Sequence, residues 1–180
     1  MATTPLIEIN KSPASPRAKI AIADKFRWKE FIRNNRMPDS PDDTSATSPF
    51  AGQTGDGAVQ KHILVIDDDD MVCSFVRKAL EMSGYAVSVA SNGYEAMVIF
   101  RKSKLDGVIT DLLMPERDGI ETILEIRRHA PDIPIVAISG GFNSMSSVYL
   151  KTAEHLGADA VLSKPFSVEQ LITALESSMK

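Results

Sequence analysis

From His62 to the end of the chain, apolar residues gather in five short runs: Ile63 to Ile66, Ala86 to Ala90, Gly107 to Thr110, Ile133 to Ile138 and Ala160 to Leu162. Turn-forming residues bound them, and most are rich in β-branched side chains. Such runs read as strands buried on both faces, as in a parallel sheet. Between them the period changes to that of a helix: Val72, Phe75/Val76 and Ala79/Leu80; Ala96 and Ile99/Phe100; Ile120 and Ile123/Leu124; Val148 to Leu156; and Val168, Leu171/Ile172 and Leu175. Gly84 and Gly157 stand where helix C-caps belong, and Pro131 and Pro134 punctuate the approach to the fourth strand. Strict alternation of strand and helix predicts an α/β fold, a (βα)5 doubly wound parallel sheet over residues 61–180. Ligands are then expected at the carboxyl ends of its strands, beside the topological switch point.

Residues 1–60 show neither period. Pro, Ser, Thr, Asp and Gly crowd stretches such as Ser40 to Ser45 and Gly52 to Gly57, which predicts a flexible extension without a core. Within it, residues 20–36 combine bases with Trp28, Phe31 and Ile32 on one helical face. This is read either as a transient helix in a disordered tail or as a short basic amphipathic helix that docks on a partner or an anionic membrane surface.

Composition narrows the class. A chain of 180 residues with 43% hydrophobic content builds one ordinary domain. The net charge of −4 divides into +4 over residues 1–40, −3 over 41–60 and −5 over 61–180. An acidic globular part argues against direct nucleic-acid binding, which relies on clustered Lys and Arg. Cys73 is the sole cysteine, which excludes disulfides and suits a reducing compartment. No apolar run is long enough for a membrane span or a secretory signal, so a cytoplasmic location is expected.

The candidate chemistry sits at the predicted strand ends. The first run is followed by Asp67-Asp68-Asp69-Asp70 and the third by Asp111. Capping of the next helix accounts for Asp69 or Asp70. It does not account for Asp67, Asp68 and Asp111 together, because three carboxylates converging from two strand ends repel unless a cation offsets them. Mg²⁺, a hard ion that takes oxygen ligands and retains water, suits that donor set. His62, His129 and His155 fall in separate elements without metal-ligand spacing, and Cys73 is expected to pack.

The segment Asp111-Leu112-Leu113-Met114-Pro115-Glu116-Arg117-Asp118-Gly119 is the specific clue. With the acidic pair Asp67-Asp68, the hydroxyl of Ser139 after the fourth run and Lys164-Pro165-Phe166 after the fifth, it resembles the response-regulator receiver domain of two-component signalling. The resemblance covers residues 61–180. It implies a flavodoxin-like sheet of order 2-1-3-4-5, with Asp111 as phosphoacceptor and Mg²⁺ held by Asp67 and Asp68, directly or through water, by Asp111 and by the Leu113 carbonyl. Lys164 pairs with the acceptor carboxylate or its phosphoryl group, Ser139 hydrogen-bonds a phosphoryl oxygen, and the Lys164–Pro165 bond is cis. Gly119 and Met114-Pro115 shape the loop under the site, and Asp118 caps the third helix.

The resemblance also implies partners: a sensor histidine kinase or a histidine phosphotransfer protein as donor, and a downstream protein target. The sequence continues only to Lys180 after the last helix, so a stand-alone receiver without a DNA-binding output domain is expected, acting as signal carrier or phosphate sink and not as an enzyme. Two rivals weigh less. A phosphohydrolase of the haloacid-dehalogenase type leaves the Asp111 motif unexplained and lacks a cap insertion. A non-phosphorylated pseudo-receiver leaves the full set of Asp67, Asp68, Asp111, Ser139 and Lys164 unexplained. One position departs from the family: Val161 stands where many receivers carry an aromatic ring, so Phe142 and Tyr149 are read as the residues that report the switch.

Overall fold

The computed structural model describes residues 60–114, 119–140 and 144–180, together with Glu30, which is helical and exposed. Apart from Glu30, residues 1–59, with the rest of the basic segment at 20–36, therefore lie outside the described residues, as do Pro115 to Asp118 and Phe142, and Tyr149 is described only as part of a helix. Five strands and five helices alternate: β1 (His62–Ile66), α1 (Asp70–Met82), β2 (Ala86–Ala90), α2 (Gly93–Lys102), β3 (Gly107–Asp111), α3 (Gly119–His129), β4 (Ile135–Gly140), α4 (Ser144–His155), β5 (Ala160–Lys164) and α5 (Val168–Ser178).

All four strand pairings are parallel, in the order β2-β1-β3-β4-β5. Alternate residues of each strand feed opposite faces of the sheet. Ile63, Val65, Ile109, Val136 and Ile138 pack against Val72, Phe75, Val76 and Leu80 of α1 and Leu171, Ile172 and Leu175 of α5. Leu64, Ile66, Val108, Ile135 and Ala137 pack on the other side with Ala96 and Met97 of α2, Ile123 and Ile126 of α3 and Ala153 of α4. Burial on both faces is why these strands read as unbroken apolar runs.

Local signals fix the boundaries. Asp69 caps α1 by accepting from the Met71 amide, Asn92 caps α2 through Glu95, and Ser167 and Gln170 form a reciprocal capping box at α5. Gly84 adopts φ 86° and Gly157 φ 111°, the left-handed conformation that ends a helix. The fourth strand starts at Ile135 and not at Ile133, because Pro134 has no amide to give the ladder. The third and fifth strands run further than their apolar runs, to Asp111 and Lys164, since polar side chains at a strand's end leave its backbone pairing intact.

At the edge of the sheet where the strands begin, Arg127 of α3 fastens the loops before β4 and β5. It donates to the carbonyls of Gly157 at 2.7 Å, Pro131 at 2.9 Å and Ile133, and pairs with Asp159 at 2.6 Å. Asp159 in turn accepts from the Ile135 amide at 2.7 Å.

Candidate functional site

The switch point lies between β1 and β3, whose neighbours β2 and β4 are reached by crossovers on opposite faces. At the carboxyl ends of these two strands stand Asp67, one residue beyond β1, and Asp111, the last residue of β3. Asp67 is 3% exposed and Asp111 4%, and Asp68 joins them half-buried. One oxygen from each of the three carboxylates lies within 4.8 Å of the others.

Lys164, at the end of β5, extends into this group. Its Nζ donates to Asp67 Oδ2 at 2.6 Å and to Asp111 Oδ2 at 2.8 Å. The pairing with Asp111 is the expected one, whereas the second partner, Asp67, was not legible from spacing. The remaining carboxylate oxygens of both residues accept main-chain amides. Asp67 Oδ1 takes the Asp69 amide at 2.8 Å, and Asp111 Oδ1 takes the Leu113 amide at 3.2 Å.

Ser139 is fully buried in β4. The β3–β4 register sets Asp111 beside Ile138, which places Ser139 one step further toward the same end, and its hydroxyl makes a long bond of 3.4 Å to the Gly140 carbonyl. The Lys164–Pro165 peptide is cis, as the resemblance implied. Of the two candidates for capping α1, Asp69 does so, and Asp70 opens the helix on the surface.

Two supporting residues carry more than the sequence suggested. A side chain at Gly119 would set its Cβ 2.0 Å from the Asp111 carbonyl oxygen, so the strand end and α3 meet at van der Waals limit. Cys73 does pack, but its thiol also donates to the Asp67 carbonyl at 3.2 Å. His129 and His155 each bond a carbonyl within their own helices and His62 bonds Ser88.

The electrostatics follow from burial and crowding. Burial, with the like charge of Asp111, pushes the Asp67 carboxyl up to about 7 against the opposing pull of Lys164. Burial alone would lower the Lys164 ammonium, but Asp111 and Asp67 outweigh it and hold the lysine above its usual value. Three carboxylates against one ammonium leave an acidic cluster of oxygen donors. In an octahedral Mg²⁺ shell with bonds of about 2.0–2.1 Å, adjacent oxygens lie about 2.9 Å apart and opposite ones about 4.2 Å, so the oxygen-only donor set suits such an ion once the three carboxylates, now within 4.8 Å of one another, draw closer around it.

A five-stranded parallel sheet of this order, with a buried lysine bridging two aspartates at its carboxyl edge, defines a phosphoacceptor signalling fold. The chain belongs to the response-regulator receiver domain family, whose model matches residues 63–176. Among curated relatives it is similar to "Probable transcriptional regulator ycf27" of Cyanidium caldarium, with 36% identity over 67% of this chain and 47% of that protein. It is also similar to "Response regulator MprA" of Mycobacterium sp. strain KMS, with 34% identity over 66% of this chain and 50% of that protein. The chain thus spans about half the length of these relatives. Among solved structures, a receiver domain from Clostridium thermocellum superposes with TM-score 0.61 at 29% identity, covering 66% of this chain and 94% of that one. Chemotaxis response regulator CheY4 of Vibrio cholerae superposes with TM-score 0.59 at 27% identity, covering 67% and 99%.

Proposed function

We propose that the protein is a response regulator whose receiver domain takes a phosphoryl group onto Asp111 in a Mg²⁺-dependent reaction and signals to a protein partner. The observation that carries the reading is the buried bridge from Lys164 to Asp67 and Asp111, which sets a fixed positive charge beside the acceptor carboxylate. Phosphoryl transfer depends on positioning and charge neutralisation more than on covalent chemistry. An Asp111 oxygen forms the new bond to phosphorus as the donor's phosphorus–nitrogen bond breaks and the imidazole leaves. Lys164 orients the carboxylate and then meets the charge of the transferred group. Ser139 offers a hydroxyl proton to a phosphoryl oxygen at the neighbouring strand end.

Asp67, Asp68, Asp111 and the Leu113 carbonyl would hold the Mg²⁺, which supplies neutralisation of the charge developing on the transferred group. The donor is a sensor histidine kinase or a phosphotransfer protein. The acidity of residues 61–180 favours a protein target over nucleic acid. A place in the cytoplasm fits the single free thiol of Cys73, and among the described residues no helix is long and apolar enough to cross a membrane.

Incubation with a small phosphodonor such as acetyl phosphate tests the reading. Uptake of one phosphoryl group in the presence of Mg²⁺, abolished by EDTA and by Asp111→Asn, is the expected result. Equal uptake by Asp111→Asn, or indifference to EDTA, would overturn it.

A further inference from the structure

The acidic pair Asp67-Asp68 and the lysine of the site come from opposite ends of the fold's sequence, and two apolar rings join the segments that bear them. The Asp67–Asp70 loop is bound to α1 twice by one residue: the Cys73 amide donates to the Asp69 carbonyl at 3.0 Å and the Cys73 thiol to that of Asp67 at 3.2 Å. Two positions on, Phe75 lies 6.4 Å from the ring of Phe166, tilted by 58°. Phe166 is 2% exposed and Phe75 8%, both within the core on the α1/α5 face. Phe166 in turn follows Lys164 by two residues and precedes Ser167, the cap whose box with Gln170 starts α5. Exposed Pro165 gives this turn no anchor, and the β4–β5 ladder holds it from one side only.

We propose that Phe75 is a positioning residue: its contact with Phe166 fixes the turn after β5 against α1 and so sets the Lys164 ammonium at the acceptor carboxylate. The inference rests on the functional reading above. Aromatic pairs of this geometry contribute beyond the area they bury, through a preferred mutual orientation that an aliphatic side chain lacks. Loosening the pair would therefore let the lysine drift while leaving in place Asp67 and Asp68, whose loop is tied through Cys73, and Asp111, held in the β3 ladder.

The test separates these two halves of the site. Beryllofluoride, which binds a carboxylate and presents fluorines where phosphoryl oxygens would lie, reports on Lys164, and Mg²⁺ alone reports on the acids. In Phe75→Leu the beryllofluoride concentration for half-saturation at saturating Mg²⁺ should rise about two- to tenfold. The Mg²⁺ affinity, followed by the amide shifts of Asp68 and Asp69, should stay within about twofold. Phe166→Leu should show the same split, and Phe75→Tyr, which keeps the ring, should match the parent. Proportional loss of both affinities, or no change in either, in a leucine variant that unfolds cooperatively would overturn the proposal. Loss of cooperative unfolding in both leucine variants would overturn it as well, since the contact would then serve the fold and not the lysine. Failure of the parent to bind beryllofluoride would strike the functional reading instead, and this inference with it.

Discussion

Asp67 is the residue whose ionisation the surroundings contest most openly. Its carboxyl, raised from 3.8 to about 7 by burial and by Asp111, holds a proton more tightly in the folded than in the unfolded chain. Its contribution to stability is therefore fully present below pH about 4 and is lost as pH rises through about 7. Without metal, Asp67→Asn should escape this loss and melt at least about 3 °C above the parent at pH 8, with the difference shrinking toward pH 4. Thermal scans across that range would show it, and a constant difference at all pH values would refute it. Mg²⁺ competes for the same oxygens, so its affinity for the parent should weaken as pH falls below about 7. Gly119 makes a steric demand instead. Gly119→Ala places a methyl group against the Asp111 carbonyl, and the strand end must shift to admit it. A stability loss of about 1–3 kcal/mol in urea unfolding is expected, with slower phosphoryl uptake.

The elements themselves were largely legible from hydrophobic period, because each strand is covered on both faces and each helix on one. Where reading and structure diverge, the cause is local backbone chemistry that apolarity does not encode. Ile133 looks like strand, yet Pro134 delays the ladder to Ile135; Lys164 looks like loop, yet its backbone still pairs with Gly140. The acids and Lys164 were legible as motif residues, and their convergence followed from the strand order. Which oxygens the lysine takes, and that Cys73 grips the Asp67 carbonyl, depend on side-chain reach and carry no period at all. The same holds for Arg127, which reads as one of several charges at the end of α3 but ties that helix to the approaches of β4 and β5. Arg127→Ala leaves the Gly157, Pro131 and Ile133 carbonyls and the Asp159 carboxylate without it, and should cost about 2–3 kcal/mol in denaturant unfolding. Lysine should recover little of this, since the planar fork meets several acceptors at once. Phosphoryl uptake should be unchanged, because the contacts lie at the opposite edge of the sheet from Asp111.

For the whole molecule, the described core draws only on residues from Ile63 onward. Removal of residues 1–59 should therefore leave the melting temperature within about 2 °C of the parent, and a larger fall would show that the basic segment packs on the domain. The bridge made by Lys164 has one more consequence, visible when the site is regarded as a small ionic assembly. With every carboxylate ionised, Asp67, Asp68, Asp111 and Lys164 sum to a charge of minus two. A divalent ion would bring that sum to zero, the state that costs a largely buried group of charges least. A phosphoryl group of charge about minus two, in place of one carboxylate's single charge, tips the assembly negative again by about one unit. That surplus has no mobile ion of its own to answer it, so it falls on dipoles at the site's rim, with the Ser139 hydroxyl next in line. Under the proposed function, the signal would then begin as a debt of about one negative charge, settled by hydrogen-bond donors that move toward the phosphoryl group.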